Sequence, residues 1–133
     1  MALQLSVTVR NARLDAIETA IGVSPTMEIR TGVPPANAAA ADTGTVLATL
    51  ALPSDWMAAA AAGSKALSGS WTDASADAAG TAGHFRIKAG ATTHLQGTVT
   101  ATGGGGDMTV DNAVFAAGQQ FTVTAFTLTD ANA

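Results

Sequence analysis

Cysteine and tyrosine are absent from this chain. Without cysteine there is no disulfide framework, no thiolate nucleophile and no cysteine-ligated zinc or iron–sulfur centre. Aromatic side chains are few: four Phe and two Trp must anchor a core otherwise dominated by Ala, Gly and Thr, so each carries more of the stability than usual. Charge is scarce too, at 12% of 133 residues, with six Lys plus Arg against ten Asp plus Glu and a net charge of −4. The cations Arg10, Arg13, Arg30, Lys65, Arg86 and Lys88 are too scattered for the basic stripe that neutralises phosphates, which disfavours a nucleic-acid partner. No apolar run is long enough to span a membrane, since residues 57–62 are short and mostly Ala. Residues 1–9 lack the charged start, long apolar run and cleavage site of a signal peptide.

What the sequence does contain is strand pattern. In residues 119–129, Thr, Val and Phe alternate with a period of two; Phe121, Val123 and Ala125 share one face, after which Phe126 and Leu128 become the apolar positions. That slip predicts a β-bulge or twist at Ala125-Phe126. Leu3, Leu5, Val7 and Val9 alternate with polar residues and read as an edge strand or extended arm. Residues 10–21 read as a helix stopped by Gly22, with Leu14, Ile17 and Ile21 forming a narrow stripe that either packs in its own domain or pairs with a neighbour's helix.

Further along, residues 27–30 form a half-buried strand and residues 33–44 a surface-lying loop, while residues 45–52 are a candidate central strand. Ser54-Asp55 is positioned to cap one turn carrying Trp56 and Met57, and residues 58–63 permit a helix. Residues 65–71 give only a weak strand signal. A hairpin joins residues 83–89 to 93–102 through Gly90-Ala91-Thr92, setting Ala89 opposite Thr93, Ile87 opposite Leu95 and Phe85 opposite Gly97. A strand over residues 108–115 and the closing strand complete about seven, which predicts a mainly β chain: an antiparallel β-sandwich over residues 25–133 preceded by an arm and one helix over residues 1–24.

Little of this carries chemistry. His84 and His94 share the polar face of the hairpin, His94 opposite Lys88, in a register that separates them by roughly 13 Å and makes them two surface imidazoles rather than joint metal ligands. No serine lies in a Gly-x-Ser-x-Gly elbow, and Gly103–Gly106 is followed by Asp107 and Met108 where a phosphate loop needs Lys and Ser or Thr. Asp73 with Asp77, and Asp107 with Asp111, fall short of the ligand density of a calcium loop. Trp56 and Trp71 read as core anchors, with a sugar-stacking platform as the other use for them. No catalytic residue, metal or cofactor is expected.

Met27-Glu28-Ile29-Arg30-Thr31-Gly32-Val33-Pro34-Pro35, then Gly44-Thr45-Val46-Leu47-Ala48-Thr49-Leu50, then Gly80-Thr81-Ala82-Gly83-His84-Phe85-Arg86-Ile87 occur in that order, followed by Leu95-Gln96-Gly97-Thr98-Val99 and the closing strand. Together with the helical start Arg10-Asn11-Ala12-Arg13-Leu14-Asp15-Ala16, this resembles a family of small β-rich proteins encoded among the virion genes of tailed bacteriophages. The resemblance implies a structural part of the virion, foremost a capsid decoration or cement protein on the major capsid protein lattice, with a tail, neck or fibre-base component as the alternative. The expected contact residues are Leu3, Leu5, Val7 and Val9 of the arm, pairing by strand addition, and Leu14, Ile17 and Ile21 of the helix, serving a homo-oligomer.

Overall fold

The computed structural model describes residues 3–131. One helix precedes ten strands: α1 (Val7–Ile21), β1 (Thr26–Thr31), β2 (Val46–Ala51), β3 (Ser64–Ala66), β4 (Trp71–Asp73), β5 (Gly80–Ala89), β6 (Thr92–Ala101), β7 (Met108–Val110), β8 (Val114–Phe115), β9 (Phe121–Val123) and β10 (Thr127–Thr129). The chain is mainly β and sandwich-like, with one N-terminal helix. The principal sheet runs β2-β1-β5-β6-β7, with β8 joining the start of β5, and two short pairs, β3–β10 and β4–β9, complete the strands.

Register explains how this sheet divides its chemistry. Met27 pairs with Ile87 and Ile29 with Phe85, while Ile87 pairs with Leu95 and Phe85 with Gly97, which puts these apolar residues on one face. Glu28, Arg86 and Gln96 occupy neighbouring positions on the other. The apolar face closes on aromatics in and beside the short sheets. Phe85 meets Phe126 edge-on at 5.5 Å between ring centroids, Phe126 lies 5.1 Å from Trp71, and Trp71 lies 5.9 Å from Trp56. Both indoles are fully buried with their N–H groups satisfied, Trp56 donating to the Gly22 carbonyl and Trp71 to the carbonyls of Trp56 and Ser68.

Several expectations are corrected here. The alternation over residues 3–9 is not a strand, because Val7 and Val9 already lie in the helix. Ser6, with extended backbone, accepts a hydrogen bond from the Val9 amide, and this cap outweighs the β preference of two valines. The 45–52 strand is at the edge of the sheet, not its centre, and its second apolar face arises because the segment after β4 crosses it: Leu47 accepts from the Asp77 amide. β6 and β7 run parallel, so the sheet is not wholly antiparallel, and the expected 108–115 strand divides into β7 and β8. Residues 58–63 form no helix; Ala62 adopts φ 52° in a tight turn before β3. Thr124–Phe126 interrupts the closing strand where the chain leaves β4 for β3, a change of partner in place of the expected bulge. The hairpin holds at Ile87–Leu95 and Phe85–Gly97, but a register shift after Ile87 sets Thr93 opposite Lys88 and Thr92 opposite Ala89, leaving His94 as the extra residue.

Candidate functional site

The polar face of the principal sheet is not left to solvent. Residues 33–44 fold back over it as a roof, pinned by a cluster of charges. Arg30 on β1 ion-pairs with Glu28 at 3.0 Å and Asp42 at 3.2 Å, Arg86 on β5 pairs with Asp42, and Lys88 pairs with Asp42 and with Glu28 at 2.8 Å. The Arg86 guanidinium also donates to the carbonyls of Asn37, Ala38 and Ala40, and the Gln96 amide to that of Pro35. The side-chain ladder of three strands therefore grips the roof's backbone as well as its carboxylate. Lys88 chiefly, then Arg86 and Arg30, hold the Asp42 carboxyl below its ordinary range against the opposing cost of burial. For Lys88 the order is reversed: burial works to lower its ammonium, but Asp42 and Glu28 outweigh it and the net shift is upward.

His84 belongs to this layer and is fully buried, contrary to its expected surface position. Its Nδ1 lies 2.9 Å from the Gly32 carbonyl, which can only accept, so Nδ1 carries the proton. The close approach is possible because Gly83 has no side chain; a Cβ there would stand 2.1 Å from the Gly32 oxygen. Nε2 is buried without a hydrogen-bond partner among the described residues. His94, on the hairpin's extra residue, is exposed beside the Ala38–Asp42 stretch and shares no site with His84.

A second charge cluster docks the helix. Lys65 on β3 is 1% exposed and pairs with Asp15 and Glu18, each at 2.7 Å, while also donating to the Ala58 carbonyl. Burial acts to lower its ammonium, but the two carboxylates prevail and raise it overall. Asp15 is lowered chiefly by the Lys65 hydrogen bond and then by the Ala60 amide. Asn11 accepts from the Gly63 amide, Arg10 donates to the Asp130 carbonyl and Arg13 pairs with the Asp130 carboxylate at 3.2 Å. The helix thus turns polar residues inward, flanking the buried Leu14 and Ile21.

The expected contact residues separate accordingly. Leu14 and Ile21 are 3% and 7% exposed and Ile17 packs on the core, so this stripe is consumed inside its own domain and is not an oligomer surface. Leu3 is 91% exposed and Leu5 is half-buried; Val7 and Val9 are both exposed but lie on opposite sides of the helix, Val9 with Ala12 and Ala16 on the outer side and Val7 at the start of the side that carries Asn11 and Leu14. The inward polar face was missed, although Arg10, Asn11, Asp15 and Glu18 recur at helical spacing and were the signal for it. Neither Trp56 nor Trp71 can present a sugar platform, because both are fully buried. Asp73 and Asp77 instead close the outer edge of β2, Asp73 accepting from the Thr49 amide and Asp77 from its hydroxyl. Asp107 accepts from the Thr98 amide and hydroxyl. Among the described residues, no three His, Asp or Glu side chains are grouped to hold a metal ion, and no helix is long and apolar enough to cross a membrane.

Among several open grooves, one of about 450 Å³ lies at the far end of the sheet, lined by residues of β7 and β9 and of the stretches that follow and precede them. No family model, curated protein or solved structure matches this chain.

Proposed function

We propose that this chain is a structural protein of a tailed-bacteriophage virion, a decoration protein that binds the major capsid protein lattice, as a homo-oligomer, and stabilises the head. The whole-chain resemblance supplies the class. The observation that supports it best is the disposition of charge: all six Lys and Arg are engaged with the chain's own carboxylates or carbonyls. They lock the roof and the helix to the sheet. The surface this leaves is small-residue backbone with an open strand edge and an outward helix face bearing Val9, Ala12 and Ala16, which suits recognition by shape and backbone pairing across a lattice.

The test is sedimentation of the purified protein with undecorated heads and, separately, with isolated tails of the source phage, counting bound copies. Hundreds of copies saturating on heads, with heads that resist heat or chelation better, is the expected result. A few copies, or binding to tails alone, moves the protein to the neck, tail or fibre base; binding to neither particle overturns the virion reading.

A further inference from the structure

The two ends of the principal sheet are treated differently. At β2 the outer edge is closed: the Asp73 carboxylate takes the Thr49 amide and the Leu47 carbonyl takes the Asp77 amide. At the other end β7 pairs only with β6, and β9 pairs only with β4. Both strands line the same groove, yet they do not pair with each other, and their Cα atoms lie for the most part more than 8 Å apart. Paired strands sit about 4.8 Å apart, so the gap exceeds one strand spacing. Along a strand with one neighbour, alternate N–H and C=O groups point away from it, and two such edges here flank one space.

Four of the seven polar side chains around that space are also unspent, while Asn112, Gln119 and Thr122 are engaged with the chain's own groups. Thr109, Asp111, Gln120 and Thr124 line the groove and make no side-chain hydrogen bond or ion pair among the described residues, unlike the locked carboxylates Asp15, Glu28 and Asp42. Its floor includes Val110 and Phe121, both buried. Asp111 is the only ionisable side chain lining it. The walls therefore offer backbone pairing, neutral amides and hydroxyls, and a single negative charge.

We propose that this groove receives an extended segment of a partner protein as an added strand, and that the segment places a Lys or Arg against Asp111 among otherwise neutral, β-forming residues. The proposal rests on the reading of the chain as a binding protein and names the surface it uses. Charge complementarity selects the partner. The described chain is the poorer match as a second copy: its six Lys and Arg are engaged internally, residues 3–6 carry no cation and Asp130 carries the same sign as Asp111. β7 and β9 are three residues each, about 10 Å of edge, so a single engagement is weak and gains strength from many copies on one lattice.

The experiment has two arms, both with the full chain. In the first, a displayed random-heptapeptide library is selected on immobilised wild-type protein, and the enriched peptides are titrated against Asp111→Lys, Gln120→Lys and, between α1 and β1, Val23→Lys. Peptides with β-branched residues and a Lys or Arg are expected, losing at least about tenfold in affinity on either groove variant and none on Val23→Lys. In the second arm the same variants are sedimented with undecorated heads, with the same order expected. Asp111, Gln120 and Val23 are all exposed, so each variant is expected to keep the wild-type circular dichroism. Peptides that bind both groove variants as well as wild type, or a library that yields none, overturn the groove; enrichment of sequences like residues 1–6 overturns the foreign partner in favour of a second copy. Heads that bind the groove variants normally also overturn the groove while sparing the virion reading, whereas groove-dependent peptides with no particle binding do the reverse.

Discussion

Asp42→Asn tests whether charge holds the roof. The Asp42 carboxylate is the one roof group that three cations share, Arg30, Arg86 and Lys88, while Glu28 is the only other carboxylate among them. Removing its charge leaves three cations facing one carboxylate. Arg86, at 1% exposure, keeps its carbonyl partners and a neutral amide oxygen but loses its carboxylate. Breaking one partner of a fully buried pair costs about 3–5 kcal/mol, and Asp42 is 34% exposed, so water recovers part of that and the expected loss is about 2–3 kcal/mol. For a chain of this length that corresponds to a fall in Tm of roughly 6–12 °C.

The same substitution has a pH signature. Asp42 is held below the ordinary carboxylate value in the folded state, so its contribution is fully present above the unfolded value near ~3.9 and is lost as pH falls through the folded value. Wild type and Asp42→Asn should therefore differ most at neutral pH and converge in acid. Urea melts at pH 7 and pH 3 measure the difference, and amide hydrogen exchange locates it: residues 33–44 should lose protection first, ahead of β5. A change under about 0.5 kcal/mol at pH 7, or a gap that stays constant into acid, would refute charge as the fastener of the roof.

Other outcomes follow from the same geometry. Gly83→Ala drives a Cβ to 2.1 Å from the Gly32 oxygen, so it should destabilise by about 2 kcal/mol or more in denaturant melts; a neutral result would mean that β1 and β5 do not cross so closely there. Ser6→Ala removes the helix cap and should cost about 1 kcal/mol, with increased exchange confined to the first turn of α1. Lys65 and Lys88 are raised in the folded state, so their contribution is complete below the unfolded value near ~10.4 and disappears as pH climbs through the folded values: alkaline melts should lose stability above about pH 10.5, less so for Lys65→Met. Asp73→Ala with Asp77→Ala uncaps β2 and should produce concentration-dependent self-association in light scattering.

How much of this the sequence displayed depends on which interaction set each element. The hairpin was legible because Phe85, Ile87 and Leu95 alternate within ten-residue strands, where side-chain parity alone fixes the pairing. The arm was misread because residues 3, 5, 7 and 9 satisfy a period of two while Ser6 starts a helix, and a single capping hydroxyl decides between them. The edge position of β2 was hidden because its second apolar face is covered by a segment that arrives only after β4. Burial of His84 and the charge cluster under the roof could not be seen at all from strand parity. Polar alternation at Glu28, Arg30, Arg86 and Lys88 reads as a solvated face, and only a loop carrying Asp42, twelve residues after Arg30 and 44 before Arg86, turns it inward.

The inward use of cations has an outward consequence. Of ten acidic residues, Asp15, Glu18, Glu28, Asp42 and Asp130 neutralise cations, Asp73, Asp77 and Asp107 hold backbone or hydroxyl groups, and Asp55 and Asp111 make no such contact among the described residues. With every Lys and Arg engaged internally, the excess negative charge has no unpaired Lys or Arg to compensate it among the described residues. Two copies set side by side thus gain nothing from attraction between their free charges, and contact between them must come from neutral faces such as the outer side of α1 around Val9, Ala12 and Ala16. A foreign surface gains most by being basic where it meets Asp111. Affinity for such a surface should fall as salt rises, whereas the roof and helix clusters, being largely buried, should hold over the same range. Binding and folding in this chain therefore separate by ionic strength, and a titration in which both fail together would place the partner's contact on the internal clusters instead.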